Sequence, residues 1–240
     1  LEKRSPNLSR WIPLHSNGVV ELGALDELLS RGASLLCVQW ANNETGVVQP
    51  VHEIRQIAAR HSVLFCCDAT QWIGKAPCEA PPCDLMAFAP HKFHGPKGVG
   101  VLYARSGVRL RPRLLGAQEL GRRAGTENVP GILGAAVAAA EAAAWLADPG
   151  ACERQRALRD YFESLVRSSV PSCVINGANA PRLWNTTNIG FPKLEAEALL
   201  LLMSERGLCA SAGAACSSGS LEPSPVLLAM GIPPEIAHGS

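Results

Sequence analysis

The sequence predicts an α/β protein: a mostly parallel sheet flanked by helices, followed by a smaller α+β unit. Two observations predict this. Short apolar runs that read as buried strands alternate with helical patterns in the first part of the chain. A break at Asp148-Pro149-Gly150 then ends a long helix. The expected division is a large unit over 1–147 and a smaller one over 151–240.

The elements follow in chain order. Ala33 to Trp40 contains Leu35-Leu36-Cys37-Val38, an apolar run that reads as a first buried strand. The polar cluster Ala41-Asn42-Asn43-Glu44-Thr45-Gly46 is a turn. Pro50 opens a helix with Val51, Ile54, Ile57 and Ala58 at helical spacing. Val63 to Cys67 is a second strand ending at Asp68. Leu85 to Ala89 is a third strand, running into Pro90-His91-Lys92, and Gly98 to Tyr103 is a fourth. Val129 to Leu146 is a long helix, dominated by alanine and carrying Glu141. It reads as a packed helix and not as a membrane span. Beyond the break, Cys152 to Ser168 and Leu194 to Arg206 read as helices. Cys173 to Asn176 and Thr187 to Phe191 read as strands. Ala210 to Ser220 is a loop of small residues, and Pro223 to Met230 begins a last helix.

Composition limits the function. The 240 residues are 47% hydrophobic and 18% charged, enough for a core and too little charge for a disordered chain. A net charge of +1 argues against general binding to nucleic acid or a membrane surface. Nine cysteines are too few for a disulfide scaffold and odd in number. They read as reduced, mostly buried thiols of a cytoplasmic protein. Cys78 and Cys83 lack the partners of a zinc spacing, so no metal is expected. The start, Leu1-Glu2-Lys3-Arg4, has no secretory pattern. The chain begins without Met and stops without a cap pattern at Ala237-His238-Gly239-Ser240, so a fragment is expected.

In parallel sheets ligands sit beyond the carboxyl ends of the strands. Asn43, Asp68 and Lys92 all fall there. Lysine is scarce, at five positions among 22 basic residues, and two of the five lie in His91-Lys92-Phe93-His94-Gly95-Pro96-Lys97-Gly98. An amine at the end of an apolar strand is partly desolvated, which favours its neutral, nucleophilic form. A Schiff-base lysine needs that form. The alternative for Lys92 is a surface turn before Gly-Pro. Asp68 closes an apolar strand, where a buried carboxylate needs a partner. A protonated ring nitrogen would be one. The alternative is a helix cap, since Asp68-Ala69-Thr70-Gln71 resembles a capping box. Asn43 and Gln71 are candidates to bond a ring hydroxyl, or are plain turn and cap residues. Cys216 sits in a run without large side chains, and a thiol there is expected to be exposed and reactive, unlike Cys37, Cys66 or Cys67. Gly121 to Asn128 precedes the long helix and offers amides, a hydroxyl and arginines to a phosphate, or is an ordinary capped helix entry.

Together these segments resemble the cysteine desulfurases, pyridoxal 5'-phosphate enzymes of fold type I in the class V aminotransferase group. Five motifs carry the resemblance, in order along the chain: Ala41 to Gly46, Asp68-Ala69-Thr70-Gln71, His91 to Gly98, Arg123-Ala124-Gly125-Thr126, and the Cys216 loop through Leu221-Glu222-Pro223-Ser224. The long cysteine loop is similar to the branch that serves nitrogen fixation and iron–sulfur assembly. The resemblance implies that Lys92 holds the cofactor as an imine and then moves protons on the substrate. It implies that Asp68 pairs with the pyridinium nitrogen, that Asn43 and Gln71 lie on the ring hydroxyl side, and that His91 and position 89 lie by the phosphate. Thr126 would reach the phosphate of a second protomer, which implies a homodimer. Cys216 would attack the sulfur of L-cysteine, leaving L-alanine and a persulfide for a sulfur-acceptor protein.

The sequence departs from the family pattern in places. Ala89 stands where the family has Ser, which removes a hydrogen bond to a charged group worth about 1.5–3 kcal/mol. The glycine-rich stretch before Gln-Glu is reduced to Gly116-Ala117. The family's Gly-Thr turn and ring-stacking His fall before Leu1, and its substrate-carboxylate Arg falls after Ser240. Weak or no turnover is therefore expected from these 240 residues. Three alternatives remain at this level: a selenocysteine lyase, a transaminase or lyase of the same fold without sulfur transfer, and a non-catalytic partner-binding remnant.

Overall fold

A computed structural model describes residues 9–213 and 222–240. Helix α1 (Leu22–Ser30) places Leu22, Leu25 and Leu29 along one side and buries the last two. No strand or turn motif flags it in the sequence. Strand β1 (Leu35–Gln39) follows, then α2 (Val51–Arg60). Val51, Ile54, Ile57 and Ala58 are the buried stripe of α2, as their spacing predicts. Glu53 in its first turn and Arg60 in its last complement the helix dipole.

Strands β2 (Leu64–Asp68) and β3 (Leu85–Phe88) complete a parallel trio with β1. Strand β4 (Val101–Ala104) lies antiparallel to β3, so the sheet order is β1-β2-β3-β4. The core lies between this sheet and the α1/α2 layer. Leu36, Phe65, Cys67 and Met86 point into it and meet Leu25, Leu29, Ile54 and Ile57. Asp84 fastens this layer. Its carboxylate accepts from the Phe65 N–H at 2.9 Å, from Arg55 of α2 at 2.7 Å and from Arg105 just past β4 at 2.8 Å. Burial alone would raise the Asp84 pKa. The Phe65 N–H and the two guanidiniums outweigh that and hold it below the usual carboxylate value.

The opposite face is open among the described residues: Leu35, Leu64 and Leu102 are 49%, 40% and 55% exposed. The run Leu35 to Val38 therefore alternates between a covered and an open face, where the sequence reads as buried throughout. Cys37 lies on the open side and is exposed, which corrects the expectation of a buried, inert thiol. Its hydrogen bond with Cys66 draws the Cys37 pKa down to about 7, while the Cys66 thiol is pushed up.

A short turn, α3 (Gln118–Gly121), carries Glu119 and Leu120 in left-handed conformation and leads to α4 (Val129–Leu146). Asn128 caps α4 by accepting the Gly131 N–H at 3.2 Å, so the ordinary capped entry is realised there. The bounds of α4 agree with the sequence, but its packing does not. Val129, Ile132, Leu133 and Val137 are exposed, and only Gly131 and Ala138 are buried. Alanine covers every side of this helix, so no wide apolar stripe selects a buried face. By length and composition alone α4 could cross a membrane.

A turn at 147–150 leads to α5 (Ala151–Ser169). Strands β5 (Val174–Ile175) and β6 (Ile189–Gly190) form a two-stranded antiparallel pair. Helices α6 (Ala196–Glu205), α7 (Pro225–Ala229) and α8 (Pro234–Ala237) finish the chain. Glu163 of α5 binds Arg182 with both oxygens, at 2.7 and 2.9 Å, and accepts the Thr187 hydroxyl at 2.6 Å. A small second cluster gathers Leu227, Met230 and Ala237.

Candidate active site

Three turns leave the carboxyl ends of β1, β2 and β3 side by side. Gln39, Asp68 and Ala87 are register partners, so the turns begin at one level of the sheet. The first turn carries Asn43. Asn42 shapes it: its side-chain oxygen accepts the N–H of Glu44 and of Thr45, both at 2.9 Å, and the Thr45 hydroxyl at 3.1 Å. Gly46 closes the turn at φ +74, where a Cβ would lie 2.8 Å from Thr186 Cβ. Asn43 is left exposed at the tip.

The second turn begins at Asp68. Its carbonyl accepts the Trp40 N–H at 2.8 Å, and the Ala69 N–H bonds the Ala87 carbonyl at 2.8 Å. Asp68 is exposed, which corrects the expectation of a buried carboxylate; its Oδ1 accepts the Thr70 N–H at 2.9 Å, a local turn bond. The side chain lies at the strand's last position, on the open face, where water and that amide satisfy it. The turn continues through Gln71 to Lys75. Trp72 stacks on Trp40 with ring centroids 4.6 Å apart and planes 5° apart.

The third turn is a 3-10 turn, Pro90–Phe93, after Ala89. The Lys92 N–H bonds the Ala89 carbonyl at 3.1 Å. His91 and Lys92 are both exposed. The expectation of a desolvated Lys92 is corrected: the chain leaves the sheet at Phe88, and the 3-10 turn carries the amine past its end. Phe93 is the buried side chain of this turn. It sits against Gly74, where an added Cβ would lie 2.4 Å from the Phe93 Cβ, so only glycine lets the two turns meet. Thr126 is exposed in the segment before α4. Cys216 lies outside the described residues.

Two further residues belong to this neighbourhood. Glu44 accepts the Ser224 hydroxyl at 2.5 Å, and its carboxylate lies 3.5 Å from where a Cβ on Gly213 would sit. The residues flanking positions 214–221 thus converge beside Asn43. Lys75 donates to Gln71 Oε1, and its pKa is drawn down to about 8, first by burial and then by Lys92. Lys75 has a sequence signal, its i+4 distance from Gln71; Glu44 has none, since Ser224 is 180 residues away.

This donor set fits a pyridoxal phosphate. An amine, a carboxylate and an amide stand at neighbouring strand ends on chain that the sheet holds in place.

The sequence profile of the class V aminotransferases matches residues 2–232. The chain belongs to that family. Its members work with pyridoxal phosphate. A cysteine desulfurase of Nostoc sp. is 45% identical over 233 residues, covering 96% of this chain and 58% of that protein. The chain therefore spans less than two thirds of this relative's length. The solved structure of a NifS-like protein superposes with a TM-score of 0.82 at 36% identity, covering 96% of this chain and 60% of that one. A structure titled SspA in complex with cysteine superposes at 0.76 with 28% identity, covering 96% and 64%. The matched region contains α4, so α4 is a helix of this family's fold.

Proposed function

We propose that the protein is a pyridoxal-phosphate-dependent cysteine desulfurase of the NifS-like type, with a large unit over 1–147 and a small one over 151–240. The observation that carries this reading is the placing of Asn43, Asp68 and Lys92 off the carboxyl ends of three adjacent parallel strands. The cysteine bound in the SspA structure supports L-cysteine as the substrate class.

When bound, the cofactor accepts the electron pair left as the substrate's α-proton departs. The chain's own residues do the rest. Lys92 anchors the cofactor and carries that proton between carbons, and its exposed amine is reachable by both partners. Asp68 holds a positive ring nitrogen. Gln71 and Asn43 bond the ring's oxygen side. His91 lies by the phosphate, with the Ala89 backbone beside it, and Thr126 reaches the phosphate of a partner protomer in a homodimer. Cys216 attacks the substrate sulfur as a thiolate: the new S–S bond forms, the carbon–sulfur bond breaks with its electron pair going to carbon, and a proton completes L-alanine. The persulfide passes to a sulfur-acceptor protein of the cytoplasm for iron–sulfur assembly or thiolation.

The test is the visible absorption of the purified chain after loading with pyridoxal phosphate. A visible band is expected, and Lys92→Ala removes it. Cys216→Ser keeps the band and loses sulfur release from cysteine. A band that survives Lys92→Ala overturns the assignment of Lys92. Sulfur transfer that survives Cys216→Ser turns the reading to a lyase without a persulfide. Faster turnover of selenocysteine than of cysteine replaces the substrate.

A further inference from the structure

Lys75 is a lysine in the wrong place for a structural role. It is half-buried at the end of the turn that begins with Asp68, and no carboxylate pairs with it among the described residues. The charge that acts on it is another cation, Lys92. Desolvating an unpaired ammonium is unfavourable, and a neutral side chain would fill the space without that penalty. Its surroundings hold it firmly all the same. The Trp184 indole donates to the Lys75 carbonyl at 2.7 Å, and the Cys152 thiol of α5 approaches the same oxygen at 3.8 Å. Gly74, directly before it, lets the Phe93 ring of the Lys92 turn seat against the chain. The backbone is thus fixed from the second half of the chain, and the side chain is directed at Gln71.

That contact decides which way the Gln71 amide points. The ammonium has only donors, so it takes the amide oxygen and leaves the amide NH2 free. A cofactor ring oxygen that carries negative charge needs a donor. A glutamine free to flip would present its oxygen half of the time.

We propose that Lys75 is a positioning residue of the cofactor site, which locks Gln71 as a hydrogen-bond donor toward the ring oxygen. The inference rests on the cofactor reading above. Among the described residues, the groups that act on the Lys75 amine and carbonyl are Gln71 on its own turn, Lys92 on the 3-10 turn, Cys152 on α5 and the Trp184 indole. Of these Lys92 alone is cationic, and the Cys152 thiol is raised by burial and stays neutral.

Two measurements test this, one of them without cofactor. Acetylation of each lysine by trace acetic anhydride across pH 6–11, read by peptide mass spectrometry, gives the titration midpoint of Lys75. A midpoint near 8 is expected, rising in Lys92→Ala. In the loaded protein, Lys75→Met weakens pyridoxal phosphate binding about tenfold, the worth of one hydrogen bond to a charged group. Lys75→Arg keeps the cation and the donor and restores binding. A Lys75 midpoint in the ordinary lysine range that Lys92→Ala does not move overturns the account of Lys75 as a desolvated amine beside Lys92. A Lys75→Met protein that binds the cofactor as the wild type does overturns the positioning role. So does a Lys75→Arg protein that melts like the wild type and still behaves like Lys75→Met. A wild-type band that Lys92→Ala leaves intact overturns the cofactor reading itself, so the two failures are distinct.

Discussion

Leu64 and Phe65 are neighbours on one strand and meet opposite fates. Phe65 is fully buried under α1 and α2, whereas Leu64 is 40% exposed. The same contrast separates Leu36 from Leu35. On the covered face the side chains of β1, β2 and β3 interlock with two helices. On the open face one cross-strand row runs Gln39, Asp68, Ala87, Leu102. The covered face supplies rigidity, and the open face carries the carboxylate of the candidate site. A strand end placed by a dense core can present a charged group at its last residue without burying it. Stability and chemistry are thereby assigned to opposite sides of the same four strands.

The largest expected effect is on the covered side. Phe65→Ala removes a large side chain that has no exposed surface and leaves a cavity between the sheet and α2. Such truncations lower stability by about 3–5 kcal/mol, read as a shift in the urea midpoint at unchanged slope. A loss below about 1 kcal/mol would mean that the two faces do not differ as described.

Asp84 comes next, because it ties α2, β2 and the end of β4 to one carboxylate. Asp84→Asn keeps the shape and removes the charge, leaving two guanidiniums without their partner. The expected loss is roughly 3 kcal/mol. The sign of the pH effect follows from the depressed pKa. The folded protein binds the proton less readily than the unfolded chain, so Asp84 contributes its full stability above about pH 3.8, the ordinary value. That stability is lost as the pH falls through the lower native value. The melting temperature of the wild type is expected to fall more steeply below pH 4 than that of Asp84→Asn. Parallel curves would remove Asp84 from the account.

Much of this was legible in the sequence, and the remainder had physical reasons to be hidden. Period and capping residues give α2 and α4 almost to the residue, because those signals are local. Four of the strands are found from apolar runs, but β4 runs antiparallel and the sequence holds no sign of direction. Parity is the main thing missed: an apolar run such as Leu35 to Val38 does not say which of its faces is covered, so Cys37 reads as buried and is not. The site motifs are readable because each sits within one turn. Their solvent exposure is not, since the position of Lys92 past the sheet edge depends on how far the chain travels after Phe88. Asp84 carries no local mark, as its partners are 19 to 29 residues away. The Glu44–Ser224 bond is further still from any local signal.

The smallest expected effect is on the open side. Leu102 shares its cross-strand row with Asp68 and is 55% exposed. Leu102→Thr introduces a β-branched strand former and removes apolar surface that already meets water, so it leaves little cavity and little lost burial. Stability is expected to change by no more than about 0.5 kcal/mol, as for substitutions away from packed or paired groups. The urea midpoint measured beside that of Phe65→Ala gives the contrast directly. A loss of about 2 kcal/mol or more at Leu102 would show that something packs on this face in solution, most simply a second copy of the chain. The loss would then shrink on dilution, because dissociation removes the cover before unfolding begins.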